Sequence, residues 1–303
     1  MSKKRVVVVC PGRGSYTKET LGYLSQRPSI RQELENMNSW RESLGYPSLT
    51  NLDEAEKFKV SLHTKGEHAS PLIYACAFAD FLEINREAYE VVAITGNSMG
   101  WYLTLAFAGA LSPQDSFQLI QTMGAMMKEG LIGGQIIYPI VDENWHIDRQ
   151  KRSGVLEILE VVNQREGHEA YLSIELGGYF VLAGNNPGLE ALKKELPPIE
   201  NYPFQLVNHG AFHTPMLREV SHRAFSELSH LHWQAPSIPM IDGRGHIWTP
   251  YSSNLELLKQ YTLGEQVSDT YDFTSAVSVA LKEFAPDHLI LLGPGNSLGG
   301  AIG

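Results

Sequence analysis

Residues 91–102 of this chain, V-V-A-I-T-G-N-S-M-G-W-Y, constrain its fold more than any other segment. A β-branched apolar run ends at Gly96, and a helical pattern begins at Gly100. This is the G-x-S-x-G arrangement, in which a strand delivers a serine to a sharp turn and a helix leads away. The turn strains the serine backbone, and the helix N-terminus supplies free N–H groups and the positive end of its dipole. The segment therefore predicts a nucleophilic Ser98 with the N–H of Met99 beside it.

Strand-like and helix-like segments alternate along the chain, which is typical of an α/β protein with a largely parallel central sheet. The clearest strands cover residues 5–10, 91–95 and 288–292. Residues 133–205 follow a different order, β-α-β-β-α-β, which is the ferredoxin-like plan. We therefore expect an α/β-hydrolase-like large subdomain with a parallel central sheet, residues 1–132 and 206–303. Residues 133–205 are expected to be an inserted ferredoxin-like small subdomain.

Two helices carry recognisable N-terminal signals. Ser70 is a good N-cap residue, and Pro71 suits the first helical position. The same pattern recurs at Ser112 and Pro113, with Asp115 as an acid in the first turn. The sequence predicts helices that begin directly after Ser70 and after Ser112.

Composition excludes several classes of protein. Hydrophobic residues make up 43% of the 303 residues and charged residues 19%, which indicates a globular chain with a large core. The net charge of −10 argues against nucleic-acid binding, which depends on neutralising phosphates. No segment approaches the length of a membrane span. The two cysteines, Cys10 and Cys76, lie in apolar surroundings, so we expect a monomeric, cytoplasmic protein without disulfides.

A serine nucleophile requires a base, and eleven histidines compete for that role. His213 stands out in N-H-G-A-F-H-T-P, where small residues let the backbone come close and a helix starts at Pro215. A histidine in a loop that opens a helix is well placed to face a cleft. His209, in the same motif, is its main rival, and the residues alone leave both candidates open.

Two glycine-rich turns follow predicted strands, at residues 11–15 (P-G-R-G-S) and 293–296 (G-P-G-N). The first is not a dinucleotide fingerprint, because Thr17 occupies the third glycine position. The ends of parallel strands meet at one edge of a sheet, so both turns are expected beside Ser98. The N–H groups of Arg13 and Met99 are then expected to form an oxyanion hole together. Residues 293–296 form either an active-site turn or only a turn that closes the sheet. No cysteine, histidine or carboxylate spacing suggests a metal site.

Taken together, these motifs resemble the malonyl-CoA:acyl carrier protein transacylase family, the acyltransferases of fatty-acid and polyketide synthesis. The resemblance extends over nearly the whole chain. It rests on P-G-R-G-S (11–15), S-P-L-I-Y-A (70–75), G-N-S-M-G-W-Y (96–102), A-G-A-L-S (108–112), G-A-F-H-T-P-M-L (210–217) and G-P-G-N-S-L (293–298). The fold it implies agrees with the two subdomains described above.

The resemblance also implies an activity and a set of site residues. Ser98 would accept an acyl group from acyl-CoA, and His213 would be its base before activating the pantetheine thiol of an acyl carrier protein. Neither a cofactor nor a metal is implied. A main-chain carbonyl would orient His213, and the matching segment, Gln266 to Tyr271, places it near Asp269. Gly293 and Gly295 would form the active-site turn.

The departures from the family pattern bear on specificity. Malonyl-specific members carry an arginine on the helix after the elbow, whereas this chain has Met123 at that position. A buried carboxylate facing methionine would be unpaired, so Met123 predicts a loss of malonyl preference and a pocket for short uncharged acyl groups. The alternative is that Met123 is only a core residue and Arg13 binds the carboxylate. Asn97, in place of a histidine, is a second residue expected to affect specificity at the acyl pocket.

Three functions follow from this sequence. The first is transfer of an acyl group from CoA to an acyl carrier protein through an acyl-serine. The second is a trans-acting hydrolase that removes acyl groups from carrier proteins with the same residues. The third is a carrier-docking homologue without activity, which the retention of both Ser98 and His213 disfavours.

Overall fold

Two five-stranded sheets organise the molecule. In the computed structural model, which describes residues 2–303, the strands are β1 (Lys4–Cys10), β2 (Tyr89–Gly96), β3 (Gly134–Pro139), β4 (Ala170–Leu176), β5 (Tyr179–Gly184), β6 (Phe204–Gln205), β7 (Met240–Ile241), β8 (Ile247–Trp248), β9 (Tyr271–Asp272) and β10 (His288–Leu291).

The α-helices of the same residues are α1 (Arg31–Ser43), α2 (Leu49–Asp53), α3 (Val60–His63), α4 (Gly66–Glu83), α5 (Gly100–Phe107), α6 (Pro113–Ala125), α7 (Arg149–Asn163), α8 (Asn186–Glu195), α9 (Arg218–Glu227), α10 (Leu255–Gln260), α11 (Gln266–Ser268), α12 (Phe273–Phe284) and α13 (Gly299–Ile302). Short 3-10 turns cover Lys18–Thr20, Leu24–Gln26, Pro28–Ile30 and Pro215–Leu217, and a π-helical turn covers Tyr261–Glu265. None of these helices is both long and apolar enough to cross a membrane.

The first sheet has the strand order β10-β1-β2-β7-β8. Its first four strands pair in parallel, and only β8 at the edge runs antiparallel. The interior strand β1 is apolar in its second half, with residues 6–9 fully buried, as expected for a strand covered on both faces. The α/β class predicted from the sequence is confirmed, and its three strands are found within two residues of the predicted ends.

The second sheet has the order β6-β3-β5-β4-β9. Strands β3 to β6 and helices α7 and α8 follow one another as β-α-β-β-α-β, and their sheet order is that of a ferredoxin-like fold. A separate apolar core, which includes Tyr138, Phe180 and Leu192, lies between this sheet and its helices. The fifth strand, β9, comes from outside residues 133–205 and pairs in parallel with β4. The exact subdomain boundaries stay predictions.

Helix α4 begins earlier than its sequence signals indicate. Its N-cap is Lys65, and Pro71 lies inside the helix, so the predicted start after Ser70 is wrong. Proline has no N–H to donate to the carbonyl four residues earlier. That carbonyl, of Glu67, instead accepts from Arg41 Nη1 at 2.8 Å and from a glutamine on α6 at 3.2 Å. A tertiary contact therefore satisfies the carbonyl that would otherwise end the helix.

The capping prediction for helix α6 is confirmed. The Ser112 hydroxyl accepts a hydrogen bond from the N–H of Asp115 at 3.1 Å, and Pro113 occupies the first helical position. Helices α4 and α6 then cross at Gly66 and Gly124, whose backbones touch so closely that a Cβ on either one would collide with the other's carbonyl oxygen.

Candidate active site

The turn between β2 and α5 holds Ser98 in the left-handed region, at φ +56°. A Cβ on Gly96 would collide with the carbonyl oxygen of Gly100. A Cβ on Gly100 would lie 2.5 Å from the carbonyl oxygen of Cys10 at the end of β1. Both positions therefore require glycine, for the reason that the G-x-S-x-G motif predicts.

Replacing Gly100 with alanine is expected to lower the free energy of unfolding by about 2 kcal/mol or more, because the new methyl group is forced into the β1 backbone. Urea unfolding followed by circular dichroism measures this loss. The matched control is Gly154→Ala in α7, where a Cβ meets no atom within 4 Å. That change is expected to stabilise the protein by about 0.5–1 kcal/mol. Equal effects of the two substitutions would contradict this account of the turn.

Ser98 and His213 meet at the ends of the two sheets. The distance from Ser98 Oγ to His213 Nε2 is 2.7 Å, although the two residues are 115 positions apart. His213 Nδ1 lies 2.6 Å from the main-chain oxygen of Gln266. A carbonyl accepts only, so Nδ1 carries the proton and Nε2 is free to accept the serine proton. The arrangement is a nucleophile, a base and an orienting group in series.

The orienting carbonyl belongs to Gln266, not to Asp269, so the prediction of Asp269 is wrong. Asp269 lies just after α11, and its N–H donates to Glu265 O at 2.8 Å. Helix α11 has only three residues, so the carbonyl of its first residue is available to the histidine instead of to a helical N–H. The Gln266 side chain adds a second tie, since its Nε2 donates to Ser98 O at 3.1 Å.

His213 is almost fully buried, with 2% of its surface exposed. Burial lowers the pKa of its imidazole to about 4, and the hydrogen bond to the Gln266 carbonyl opposes that shift. The neutral form, which alone accepts a proton, is therefore the prevailing form near pH 7. His209, the rival candidate, contacts Gln135 at 3.0 Å and has no hydrogen bond to Ser98.

The pKa of His213 predicts how acylation depends on pH. The active form is the neutral imidazole, so kcat/KM for acylation of Ser98 is expected to stay constant from pH 8 to about pH 5 and to fall as the pH drops through about 4. An ordinary histidine would lose half of its activity near pH 6.5. Rapid-mixing measurements of the acylation step alone test this, because the thiol that accepts the acyl group titrates only in the second step. An acid limb near 6.5 would contradict the burial argument.

The predicted oxyanion donors lie next to the nucleophile. The N–H of Asn97 donates to Cys10 O at 3.1 Å, which holds the turn after β1 against the elbow. Within residues 2–303, the N–H groups of Arg13 and Met99 donate to no protein acceptor. Both residues line the same cavity as Ser98. Their role as an oxyanion hole stays a prediction that this arrangement supports.

A small, mostly apolar cavity opens beside Ser98. Its accessible volume is about 30 Å³, which is room for roughly two water molecules. It is lined by Arg13, Ser70, Ser98, Met99, Tyr102, Ile120, Met123, Gly124, Phe212, His213 and Gln266. Met123 is therefore both a core residue and a wall of the cavity that adjoins the nucleophile.

Three predicted site residues lie elsewhere. Asn97 does not line this cavity; its side chain packs against Gly12, and it lines a second cleft that also includes Ser98, so its assignment to the acyl pocket is corrected. The N–H of Gly293 donates to Asp80 Oδ2 at 2.7 Å, and Gly295 packs against a main-chain oxygen. Neither glycine lines the cavity or the cleft. The residues that follow the turn, Ser297 and Leu298, line the cleft with Ser98, so the role of the turn stays a prediction.

Sequence reasoning missed Phe212 and Tyr102, and it named Gln266 only as the first residue of the segment expected to orient His213. Tyr102 follows the elbow motif, and its hydroxyl donates to Gln266 Oε1 at 2.7 Å, so the glutamine is held from two directions. Phe212 precedes His213 and lies on the cavity wall. Their sequence positions beside Ser98 and His213 were the available signal, whereas nothing local marks Gln266.

Comparisons with known proteins agree with this architecture. No protein-family model matches the sequence. A malonyl-CoA:acyl carrier protein transacylase from Haemophilus influenzae is 28% identical over 167 residues, which are 53% of this chain and 51% of that protein. The chain also matches fungal non-reducing polyketide synthases, of which it spans only 13% and 15% of the length.

Solved structures superpose over the whole chain. The malonyl-CoA:acyl carrier protein transacylase of Xanthomonas oryzae pv. oryzae gives a TM-score of 0.81 at 21% identity, with 100% of this chain and 91% of that one covered. A type II polyketide synthase acyl carrier protein in complex with its malonyl-transacylase gives 0.82 at 18% identity, with 99% and 92% covered.

Fold and site together define an α/β protein of the nucleophile-elbow type with a second, ferredoxin-like subdomain. More narrowly, the chain has the fold of the malonyl-CoA:acyl carrier protein transacylases, with a divergent sequence. The resemblance and the fold class predicted from the sequence are confirmed. Sequence identities this low support the fold alone. An activity is therefore inferred from the geometry of the site.

Proposed function

We propose that this protein transfers acyl groups between thioesters through an acyl-Ser98 intermediate, from acyl-CoA to the pantetheine thiol of an acyl carrier protein. The observation that carries the proposal is the 2.7 Å contact between Ser98 Oγ and His213 Nε2. The contact lies next to a mostly apolar cavity that is too small for a long chain.

In the first step Ser98 Oγ attacks the thioester carbonyl carbon while His213 Nε2 takes its proton. The N–H groups of Met99 and Arg13 stabilise the oxygen that becomes negative. The carbon–sulfur bond then breaks, and the CoA sulfur leaves with the proton from His213. In the second step the carrier thiol gives its proton to His213 and attacks the acyl-serine carbonyl, and Ser98 recovers the proton as its C–O bond breaks.

A carbonyl behind the histidine suits thioester chemistry. The main-chain oxygen of Gln266 fixes the tautomer of His213 but adds no negative charge, so the imidazole stays a weak base. A thiol has a pKa near 8.5 and leaves far more readily than an amine, so it requires little protonation. We therefore expect low activity toward amides.

We propose the partners from the position of a cleft beside Ser98 and from the names of similar proteins. A second cleft of about 220 Å³ includes Ser98 and lies between the turn after β1 and strands of the second sheet. A pantetheine arm entering there would place its sulfur at the serine. One superposed structure is a transacylase bound to its acyl carrier protein, which supports a carrier protein as the acceptor.

Transfer and hydrolysis differ only in what resolves the acyl-enzyme. We propose transfer, because the base lies in a buried site with 2% exposure, where water competes poorly with a thiol delivered on an arm. The test is to form acyl-enzyme with excess acyl-CoA, remove the CoA, and follow its decay with and without a carrier-protein or pantetheine thiol. A half-life in buffer at least about ten times longer than with thiol supports transfer. Equal rates with release of free acid would make the protein a hydrolase.

A further inference from the structure

The side chain of Arg13 is fixed beside the acyl cavity by main-chain acceptors. Its Nη2 donates to the carbonyl of Thr64 at 3.0 Å and to that of Asn208 at 2.7 Å. Asn208 is in turn bound to the Thr64 hydroxyl at 2.6 Å. The guanidinium is therefore held in place before any substrate binds, which reduces the entropy cost of using it for recognition.

The guanidinium lies at the cavity end between Phe212 and Gly124. Its Cζ is 5.8 Å from the centre of the Phe212 ring. A Cβ on Gly66 would come within 3.6 Å of Nη1, and Gly66 packs directly on Gly124. Phe212 and Gly124 line the cavity that contains Ser98, and Arg13 lines it with them.

Arg13 has hydrogen-bonding capacity that the protein does not use. Its Nε is buried and has no partner, and within residues 2–303 Arg13 forms no ion pair. Burial lowers the pKa of Arg13 to about 10, while the more distant charge of Glu67 raises it. A partly desolvated cation with an open donor is unfavourable unless an anion or an acceptor binds it.

Arg41 shows what a structural buried arginine looks like in this protein. It is fully buried, and it too forms no ion pair within the described residues. Every one of its guanidinium nitrogens has a partner, with Nε bound to Pro47 O, Nη1 to the carbonyl of Glu67 and Nη2 to His68. Arg41 thus has a structural role that uses all of its guanidinium nitrogens, whereas Arg13 lines a cavity and keeps one nitrogen without a partner.

Ser70 supplies a second unused group on the same cavity. The Ser70 hydroxyl oxygen is buried and has no hydrogen-bond partner within residues 2–303. Ser70 lines the cavity from helix α4. Arg13 and Ser70, each with one buried polar atom that has no partner, therefore both line a cavity whose other walls are largely apolar. Met123, at the position where the family pattern has an arginine, lines the cavity as well. A cation is present in the pocket, but it comes from the turn after β1 instead of from α6.

We propose that Arg13 is the specificity-determining residue of the acyl cavity and that it selects short acyl groups that end in a carboxylate. The Ser70 hydroxyl donates a further hydrogen bond to the same group. This inference rests on the proposed acyl transfer by Ser98. It favours, of the two alternatives raised by Met123, the one in which Arg13 replaces the missing helix arginine.

The test compares acylation of Ser98 by malonyl-CoA and by propionyl-CoA, which differ in charge at similar size. For the wild-type chain kcat/KM is expected to be at least tenfold higher with malonyl-CoA. In Arg13→Gln the ratio of kcat/KM for malonyl-CoA to that for propionyl-CoA is expected to fall by about 10- to 100-fold, which corresponds to the loss of a hydrogen bond to a charged group. Only the activity with malonyl-CoA should fall. Arg149→Gln, an equal charge change at an exposed position, is expected to leave the ratio unchanged. The double variant Arg13→Gln with Met123→Arg is expected to recover malonyl preference.

Each other outcome overturns the inference in a distinguishable way. A wild-type preference for propionyl-CoA would overturn the role of Arg13 but leave the proposed acyl transfer intact. This measurement uses the wild-type protein, so it does not depend on how the variants fold. Equal loss with both thioesters in Arg13→Gln would mean that Arg13 binds the CoA phosphates or supports the fold. No acylation by either thioester would remove the proposed function itself.

Discussion

Replacing Ser98 with alanine is expected to abolish acyl-enzyme formation and to reduce acyl transfer by at least about 10⁴-fold, as for nucleophiles in other serine enzymes. The Ser98 hydroxyl lies 2.7 Å from His213 Nε2 and is the group that can form the covalent intermediate. The His213 imidazole, the oxyanion donors and the cavity all remain in Ser98→Ala. The loss should therefore appear in kcat with little change in the binding of acyl-CoA. Intact mass spectrometry and steady-state transfer to a carrier thiol measure the two quantities.

The control for this prediction is a serine whose hydroxyl does nothing in the structure. Ser116 on α6 is buried, its Oγ has no partner, and it does not line the cavity. Ser116→Ala is expected to keep full activity, because removing an unpartnered buried hydroxyl costs little. Both variants should melt within a few degrees of the wild type. Substantial transfer by Ser98→Ala would show that another residue is the nucleophile.

Replacing His213 with glutamine is expected to lower kcat for acylation by about 10³- to 10⁴-fold. Glutamine can hydrogen-bond to Ser98 but cannot take its proton. The loss should fall on both half-reactions, because the same imidazole protonates the leaving thiol and activates the incoming one. Single-turnover acylation and deacylation rates, measured separately, test this.

His209→Gln is the informative comparison, since His209 lies in the same motif and was the rival base in the sequence. Its ring contacts Gln135, and burial together with the charge of Arg13 lowers its pKa to about 3. We expect His209→Gln to retain at least a hundred times the activity of His213→Gln. A larger loss at His209 than at His213 would reverse the assignment of the base.

The sequence predicts best where a local rule is sufficient. The glycine spacing around Ser98 indicates the elbow because no side chain fits between β2, α5 and the β1 backbone. The cap at Ser112 and the β-α-β-β-α-β order of the second sheet can likewise be predicted from residues that are close together in the sequence. Such features depend on backbone conformation within a few positions, so the pattern of side chains is enough.

Prediction fails where a distant contact decides the outcome. Helix α4 continues through Pro71 because Arg41, thirty residues earlier, satisfies the Glu67 carbonyl. The carbonyl that orients His213 comes from Gln266, and main-chain acceptors carry no residue signature. The position of the Arg13 guanidinium depends on two carbonyls far along the chain, so the sequence could only raise Arg13 as an alternative to Met123.

The central claim is that Ser98 carries the acyl group, and the most direct measurement is to mix the protein with malonyl-CoA and propionyl-CoA in turn. The reaction is quenched within seconds, and the modified peptide is mapped by mass spectrometry. The structure predicts one acyl group per chain, attached to Ser98, absent from Ser98→Ala and lost on addition of a pantetheine thiol. An unmodified chain with both thioesters, or an acyl group on a different residue, would contradict the proposed function.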